Sequence, residues 1–392
     1  MTIIAPDPAR PLAGLTVLDL SRVLAGPYAT QILGDLGATV WKVERPGLGD
    51  ETRAWGPPFI GEASAYFLSV NRNKRSAALD FRHAPHLAAL RAAAARVDIV
   101  VENFLPGALV PYGLDARTLR AANPALVVCS ITGYGQDGPY ASLPGYDAVM
   151  QGFVGLQSVT GTADGPPLKV GVALIDVLTG AHAAAAILAA LVGRFRHGIG
   201  SHLDIALSEV GVHSLVNVAQ SALSTGVPAR RHGNAHPTIV PYQTFAASDG
   251  LFVLAVGNDG QWARVCEAMG ETARAEDPRW AKNPDRVLHR AEVVEWLAGR
   301  FASAPRAEWL ARFHAAGVPA GPVREVHEAL ADPALAARGM VAPHVLPDGT
   351  TTPLMTLPWQ ADGHRPPLTR TPPALGQDTA AFLDEFGGAT VQ

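Results

Sequence analysis

Four short apolar runs, each followed by a helix-like stretch, most constrain what this chain can fold into. They are LTVLDL at 15–20, ATVWKVE at 38–44, VDIVVENF at 97–104 and ALVVCSITGYG at 125–135. Gly26-Pro27 opens a helix through ATQILGDLG that Gly37 ends. SAALD at 76–80 leads into an alanine-rich helix at 86–95, and a further helix stops at Asn123-Pro124. Strand and helix alternating in this way predict a mostly parallel sheet with helices on both faces, an α/β fold. Ligands of such sheets bind beyond the carboxyl ends of the strands.

Near Gly226 the texture changes. GVPARRHGNAHPTIVPYQTF is rich in Pro, Gly, His and Arg, and a strand LFVLAVG at 251–257 and several helices follow, to about Phe313. This reads as a second, smaller α+β domain at 226–329, preceded by a linker at 201–225. From Gly321 onward the chain is proline-rich, with a last short helix at 379–386. Such a tail wraps back over an earlier domain.

Several function classes are excluded. Of 392 residues, 31 are Lys or Arg and 35 are Asp or Glu, a net charge of −4 that gives nucleic acid no electrostatic footprint. The first turn reads LAGPYATQ, with one glycine before a proline. A dinucleotide fingerprint needs three closely spaced glycines, so nicotinamide and flavin are not expected. The N-terminal stretch MTIIAPDPARPLAGL has no basic region followed by an apolar core. No apolar run reaches the length of a membrane span, and the run at 181–193 reads as a buried helix. We expect a soluble, cytoplasmic protein. The two cysteines, Cys129 in a strand-like run and Cys266 on a helix, are expected as buried reduced thiols.

One polar residue stands out. In GVALIDVLTGAHAAAAILAALVGRFRHGIG, Asp176 follows an apolar stretch and precedes a long apolar helix. Aspartate before a helix is a preferred N-cap, and capping is the plainest role for it. Capping and chemistry are compatible, however. A carboxylate at a strand-to-helix junction sits where ligands of these sheets bind, and apolar neighbours would desolvate it into a better nucleophile. Gly180, one turn on, allows close packing or close ligand approach. With no GxSxG elbow and no reactive cysteine, Asp176 is the candidate nucleophile.

These residues bring a family into view. LDLSRVLAGPYATQILGDLGATVWKVERPGLGD, NRNKRSAALD, VVENFLPGAL, GYDAVMQGFVGLQSVTG, GVALIDVLTG, GNAHPTIVPYQTFAASDG, GVPAGPV and PPALGQDT together resemble the class III CoA-transferases, the formyl-CoA transferase-like or CaiB–BaiF family. The resemblance runs from about Pro11 to Phe386. It implies an aspartate nucleophile at Asp176 that passes through an aspartyl-acyl anhydride and an aspartyl-CoA thioester. No metal and no tightly bound cofactor are implied. Coenzyme A and acyl-CoA act as substrates, and a small carboxylic acid as acceptor. The family's CoA-contacting positions match Arg45, Leu79, Arg82, Asn103 and Phe104, and Arg suits phosphate through its fork of donors. Positions that are basic in some members are Pro111 and Pro144 here, and a glutamine near the reacting carbonyl is Leu24. The loop at Gly233-Asn234 faces the active site in relatives and is the candidate for oxyanion donors.

The resemblance also implies a large Rossmann-like domain at 1–200 completed by the tail at 330–392, and an interlocked homodimer. The rival on the same fold is an α-methylacyl-CoA racemase, which needs two bases. Where such enzymes carry a His–Asp pair this chain reads Tyr146-Asp147, and tyrosine is a poor base near neutrality. Tyr146 then lines the acyl site. A non-catalytic acyl-CoA-binding scaffold is the third reading, disfavoured by retention of Asp176. The segment RRHGNAHPTIVPYQTF looks like transferases that handle succinyl-CoA and short dicarboxylates, with Arg230, Arg231 and His236 as partners for a distal carboxylate.

Overall fold

The computed structural model describes residues 7–388; the opening residues MTIIAP, part of the stretch read for a signal peptide, lie outside the described residues. The chain divides into two units. One holds 7–156, 169–225 and 333–388; the other holds 157–168 and 226–332.

The first unit begins with β1 (Thr16–Asp19), α1 (Ala25–Asp35), β2 (Thr39–Glu44), a short hairpin of β3 (Phe59–Ile60) and β4 (Ala63–Ser64), α2 (Ala65–Val70) and β5 (Lys74–Ala78). It continues through α3 (Ala84–Arg96), β6 (Ile99–Glu102), α4 (Ala116–Ala122) and β7 (Val127–Thr132). Then come α5 (Asp147–Phe153), α6 (Leu156–Val159), of which only Leu156 belongs to this unit, α7 (Leu174–His197), β8 (His202–Ala206), α8 (Leu207–His213) and α9 (Val216–Thr225). The six long strands form one sheet in the order β5-β2-β1-β6-β7-β8, and every pairing is parallel.

Successive strand residues point to opposite faces, and both faces are covered. Val17, Val40, Ile99, Val101 and Cys129 pack with Ala29 and Leu33 of α1 and Ala183 and Ile187 of α7. Leu18, Trp41, Val100 and Val128 pack on the other side with Leu90 and Ala93 of α3. The expected α/β architecture with a parallel sheet is therefore present. Cys129 and Cys266 are both buried, and burial pushes both thiols up, Cys266 to about 12.

The winding fixes where a ligand goes. The chain runs from β1 outward through β2 to β5, then returns to β6 on the other side of β1. The loops after β1 and β6 therefore leave the sheet in opposite directions, and a crevice opens between them at the carboxyl edge.

Two local readings are corrected. The stretch expected as a linker, 201–225, carries β8, α8 and α9 and belongs to the first unit. HLDIA is an edge strand, so one of its faces stays polar and its period-two pattern is easily missed. In addition, α7 runs 24 residues with a mean hydropathy of 1.9 in its most apolar window, long and apolar enough by composition to cross a membrane. Its buried residues, from Ile175 to Leu191, instead pack on α1 and the sheet.

In the second unit β9 (Tyr242–Ala246) and β10 (Leu251–Ala255) are followed by α10 (Asp259–Ala268), α11 (Thr272–Glu276), α12 (Asn283–Leu288), α13 (Arg290–Phe301), α14 (Arg306–Ala315), β11 (Ala320–Pro322) and α15 (Val326–Leu330). Its antiparallel sheet, ordered β11-β10-β9, packs Phe252 and Phe245 against Phe301, Phe313 and Trp309 of the helices. Segment 157–168 is tied to this unit by Arg231, whose guanidinium donates to the carbonyls of Thr162, Ser158 and Gly165 at 3.2, 3.3 and 2.8 Å. The tail returns to the first unit with α16 (Pro333–Ala337), a hairpin of β12 (Val341–Val345) and β13 (Thr351–Met355), and α17 (Thr379–Phe386). Phe382 of α17 meets the Trp41 ring edge-on at 5.2 Å, and Asp378 exchanges backbone and side-chain bonds with Ser76 of β5.

Candidate active site

The turn from β1 into α1 is built on buried charge. Asp19 at the end of β1 accepts from Ser21, Thr30 and Lys74, and Lys42 Nζ donates to Ser21 O and to Asp50 Oδ2 at 2.8 Å. Asp50 in turn accepts from the Val23 amide, at 3.2 Å to its nearer oxygen. Val23 is β-branched yet has φ 71°, a left-handed conformation that costs energy and persists only where surroundings enforce it. The other side of the turn is held by Asn103, past the end of β6. It accepts from the Arg22 amide at 3.0 Å and donates to the Arg22 carbonyl at 2.7 Å.

Two cavities meet at this turn. One, of about 360 Å³, is lined by Arg45, Leu79, Arg82 and Phe104, together with Arg22 and Tyr112. The other, of about 140 Å³, is lined by Asn103, Phe104, Tyr146 and Asp176, with Leu24 and Pro144 among its walls. Arg22 and Phe104 line both, and the Arg22 guanidinium lies 5.7 Å from the centre of the Phe104 ring. The six residues expected for CoA contact and for the nucleophile thus lie along one crevice at the carboxyl edge. Arg82 folds back on Asp80 through two bonds of 3.1 and 2.9 Å, whereas Arg45 forms no ion pair among the described residues.

Asp176 is not an N-cap, and no strand precedes it. Helix α7 starts at Leu174 after an irregular loop, and Asp176 lies in its first turn. The capping role falls to Asp147, at the start of α5. Its Oδ1 accepts from the amides of Ile175 and Asp176 at 2.8 and 3.2 Å. Its Oδ2 accepts from Gln151 Nε2 at 2.6 Å. Gln151 is fully buried; it also accepts from the Val170 amide and donates to the Val172 carbonyl, stitching the loop that leads to α7. Among the described residues no bond is formed to the Asp176 carboxylate. Burial, reinforced by the negative charge of Asp147, pushes its pKa up to about 7. The Tyr66 hydroxyl of α2 is pushed up to about 12 by partial burial and by the charges of Asp176, Asp147 and Asp50, so it remains a donor beside them.

Further along α7, Gly180 serves helix packing. A Cβ there would stand 2.6 Å from the Ala25 carbonyl and 3.0 Å from the Tyr28 ring. Leu24 and Pro144, the departures from the family pattern, contribute apolar wall around Asp176.

Gly233, Asn234 and His236 belong to the second unit and line neither cavity. Gly233 has φ 59°, and the His236 ring sits 5.3 Å from that of Tyr242. Arg231 is spent on three carbonyls, as described above. Among the described residues no cluster of His, Cys, Asp or Glu has a metal-holding arrangement. Sequence reasoning missed Arg22, Gln151, Tyr66 and the capping role of Asp147. Only the four-residue spacing of Asp147 and Gln151, which puts them on one face of a helix, was visible in advance.

A doubly wound sheet with a desolvated aspartate in the crevice at its switch point places a candidate nucleophile where ligands of such sheets bind. The chain belongs to CoA-transferase family III, whose sequence model matches residues 12–379. It is 43% identical to the succinate–glutarate CoA-transferase of Agrobacterium fabrum over 97% of each chain. It is 40% identical to the human succinyl-CoA:glutarate CoA-transferase, over 96% of this chain and 86% of that one. A CAIB/BAIF family protein from Brucella suis superposes with a TM-score of 0.85 at 43% identity, over 96% of this chain and all of that one. The chain is therefore a CoA-transferase, and the racemase reading gives way to it.

Proposed function

We propose that this enzyme moves CoA from succinyl-CoA to a short dicarboxylate such as glutarate, with Asp176 as the nucleophile. The observation that carries the role of Asp176 is its position: a buried carboxylate, unbonded among the described residues, in the wall of a crevice whose other arm is lined by Arg45, Arg82 and Phe104. The substrate class rests on the named activities of the relatives, which include glutarate, mesaconate and citramalate transferases.

In this reading the nucleotide of CoA lies in the larger cavity, its phosphates against Arg45 and Arg82 and its adenine against Phe104. The pantetheine arm passes Leu79 and Asn103 toward Tyr146, which lines the acyl site. The Asp176 carboxylate attacks the thioester carbonyl, forming a mixed anhydride as the C–S bond breaks and CoA leaves as thiolate. The thiolate attacks the Asp176 acyl carbon, releasing succinate and leaving an aspartyl-CoA thioester. The acceptor carboxylate then attacks that thioester, and the freed thiolate takes the acceptor from the second anhydride and regenerates Asp176. No proton or metal is consumed, and a dry site suits anhydrides that water would destroy.

The Gly233-Asn234 loop is the candidate for oxyanion donors. With Arg231 committed to the carbonyls of segment 157–168, Arg230 and His236 are left for the distal carboxylate. We also read the first unit, completed by the tail, as the CoA-binding domain, and assign the enzyme to the cytoplasm. Exposed apolar side chains on α7 and α9, with Phe195 68% and Leu223 81% exposed, favour an interlocked homodimer. Light scattering on the purified protein tests that. The reaction is tested by mixing the protein with succinyl-CoA and a pool of mono- and dicarboxylic acids and reading new acyl-CoAs by mass spectrometry. Glutaryl-CoA formed by the wild type and not by Asp176→Ala supports it; no dicarboxylyl-CoA from any donor sinks it.

A further inference from the structure

We propose that Asp147 is the positioning residue for Asp176: it takes the amides at the start of α7 and leaves the nucleophile's carboxylate without a hydrogen bond, facing the crevice. This rests on the reading of Asp176 as nucleophile. The first amides of a helix are the natural ligands of a nearby carboxylate, and they stabilise its charge. An aspartate in the first turn of its own helix has those amides within reach, and bonding them would make it a quiet, poorly nucleophilic anion. Here Asp147 Oδ1 already holds the amides of Ile175 and Asp176. Its other oxygen is fixed by Gln151, whose own orientation is dictated from behind. The Val170 amide demands the Gln151 oxygen and the Val172 carbonyl demands its NH₂ group, so an N–H donor faces Asp147. An acceptor is required at 147 on both sides, which a carboxylate satisfies and an amide satisfies on one.

The arrangement also sets a like charge beside the nucleophile. The raised pKa of Asp176 has burial and Asp147 as its two causes, in that order. The other polar and titratable groups around it do not offset this. From α2, Tyr66 is a neutral phenol. Arg22, in the turn after β1, lines the same cavity but is paired with Glu51. Tyr28 of α1 packs at Gly180, and Tyr146, just before α5, makes no side-chain capping bond there. From α8 come Glu209 and His213, the latter edge-on to His182 of α7 at 5.8 Å.

The test is the pH dependence of turnover in the full-length enzyme, across about pH 5 to 9 with succinyl-CoA and glutarate, alongside location of enzyme-bound CoA by peptide mass spectrometry after quenching. The nucleophile acts as an anion, so turnover of the wild type rises with pH through the Asp176 pKa. Asp147→Asn keeps one oxygen for the two amides and removes the like charge. Its acidic limb is expected to move to lower pH by about one unit, with CoA still captured on Asp176. Asp147→Ala also loses the cap, and kcat is expected to fall about 100-fold with little change in KM for the acyl-CoA. Should the alanine variant not fold, the near-isosteric asparagine variant decides alone. CoA captured on Asp176 with kcat unchanged in Asp147→Ala, or with an unmoved limb in Asp147→Asn, overturns the role of Asp147. CoA captured on no residue, or elsewhere, overturns the nucleophile reading and this inference with it.

Discussion

Asn103 grips Arg22 in both directions, accepting from its amide at 3.0 Å and donating to its carbonyl at 2.7 Å. The two residues sit past the ends of the neighbouring strands β1 and β6, where the winding of the sheet reverses. Their contact braces one wall of the crevice and fixes the strained turn at Val23.

Asn103→Ala removes that brace. We expect KM for the acyl-CoA to rise about tenfold, for the loss of roughly 1.4 kcal/mol of binding. The global stability should fall by about 1 kcal/mol, since the contact is partly solvated. Steady-state kinetics and urea unfolding measure the two separately. A rise in KM with an unchanged unfolding midpoint would mean that Asn103 acts by contact with CoA alone.

Arg45 and Arg82 should differ as phosphate ligands. Arg82 must leave Asp80 to bind, while Arg45 has no ion pair among the described residues to give up. Asp80→Asn is expected to tighten acyl-CoA binding by a few-fold, and Arg45→Ala to weaken it about tenfold more than Arg82→Ala does. Isothermal titration with CoA at two salt concentrations checks both, the effects shrinking as salt rises. Equal losses for the two alanine variants would sink this.

Gly180 is set by contact, so even a methyl group is resisted. The Ala25 carbonyl is backbone and cannot swing aside. Gly180→Ala should cost about 1–3 kcal/mol by overpacking α7 against α1. Because Asp176 is one turn away, kcat should drop about tenfold or more as the helix shifts. Thermal unfolding and turnover of the same sample decide it; unaltered values for both would refute the packing argument.

The Lys42–Asp50 pair predicts acid sensitivity with a definite sign. Burial pushes the Asp50 carboxyl up, but Lys42 and the bonds from Thr52 outweigh it and hold it down at about 2. Its folded pKa lies below the unfolded value of about 3.9. The stability it contributes is complete above that value and is lost as the pH falls toward 2. Lys42→Met strands a buried carboxylate and should cost about 3–5 kcal/mol at neutral pH. The penalty should shrink on acidification, because Asp50 then protonates. Urea midpoints between neutral and acidic pH test this; a penalty that does not vary with pH would rule it out.

What the sequence determined is whatever depends on neighbours along the chain. The apolar runs around Val17, Val40, Val100 and Val128 became strands of one parallel sheet buried on both faces, because short, near-continuous apolar runs separated by helices leave little choice. Asp176 stood out because its immediate surroundings are apolar, and Arg45, Leu79, Arg82, Asn103 and Phe104 were legible through their flanking motifs. Tertiary structure alone decided what these groups do to one another. Asp147 and Asp176 are 29 residues apart, and Arg22 and Asn103 are 81 apart. No periodicity reveals that one aspartate caps the helix of the other. The edge strand at 202–206 and the attachment of 157–168 to the second unit by Arg231 were hidden for the same reason. Desolvation, capping and ion pairing depend on which remote segments meet, and here the reversal of winding between β1 and β6 chooses them.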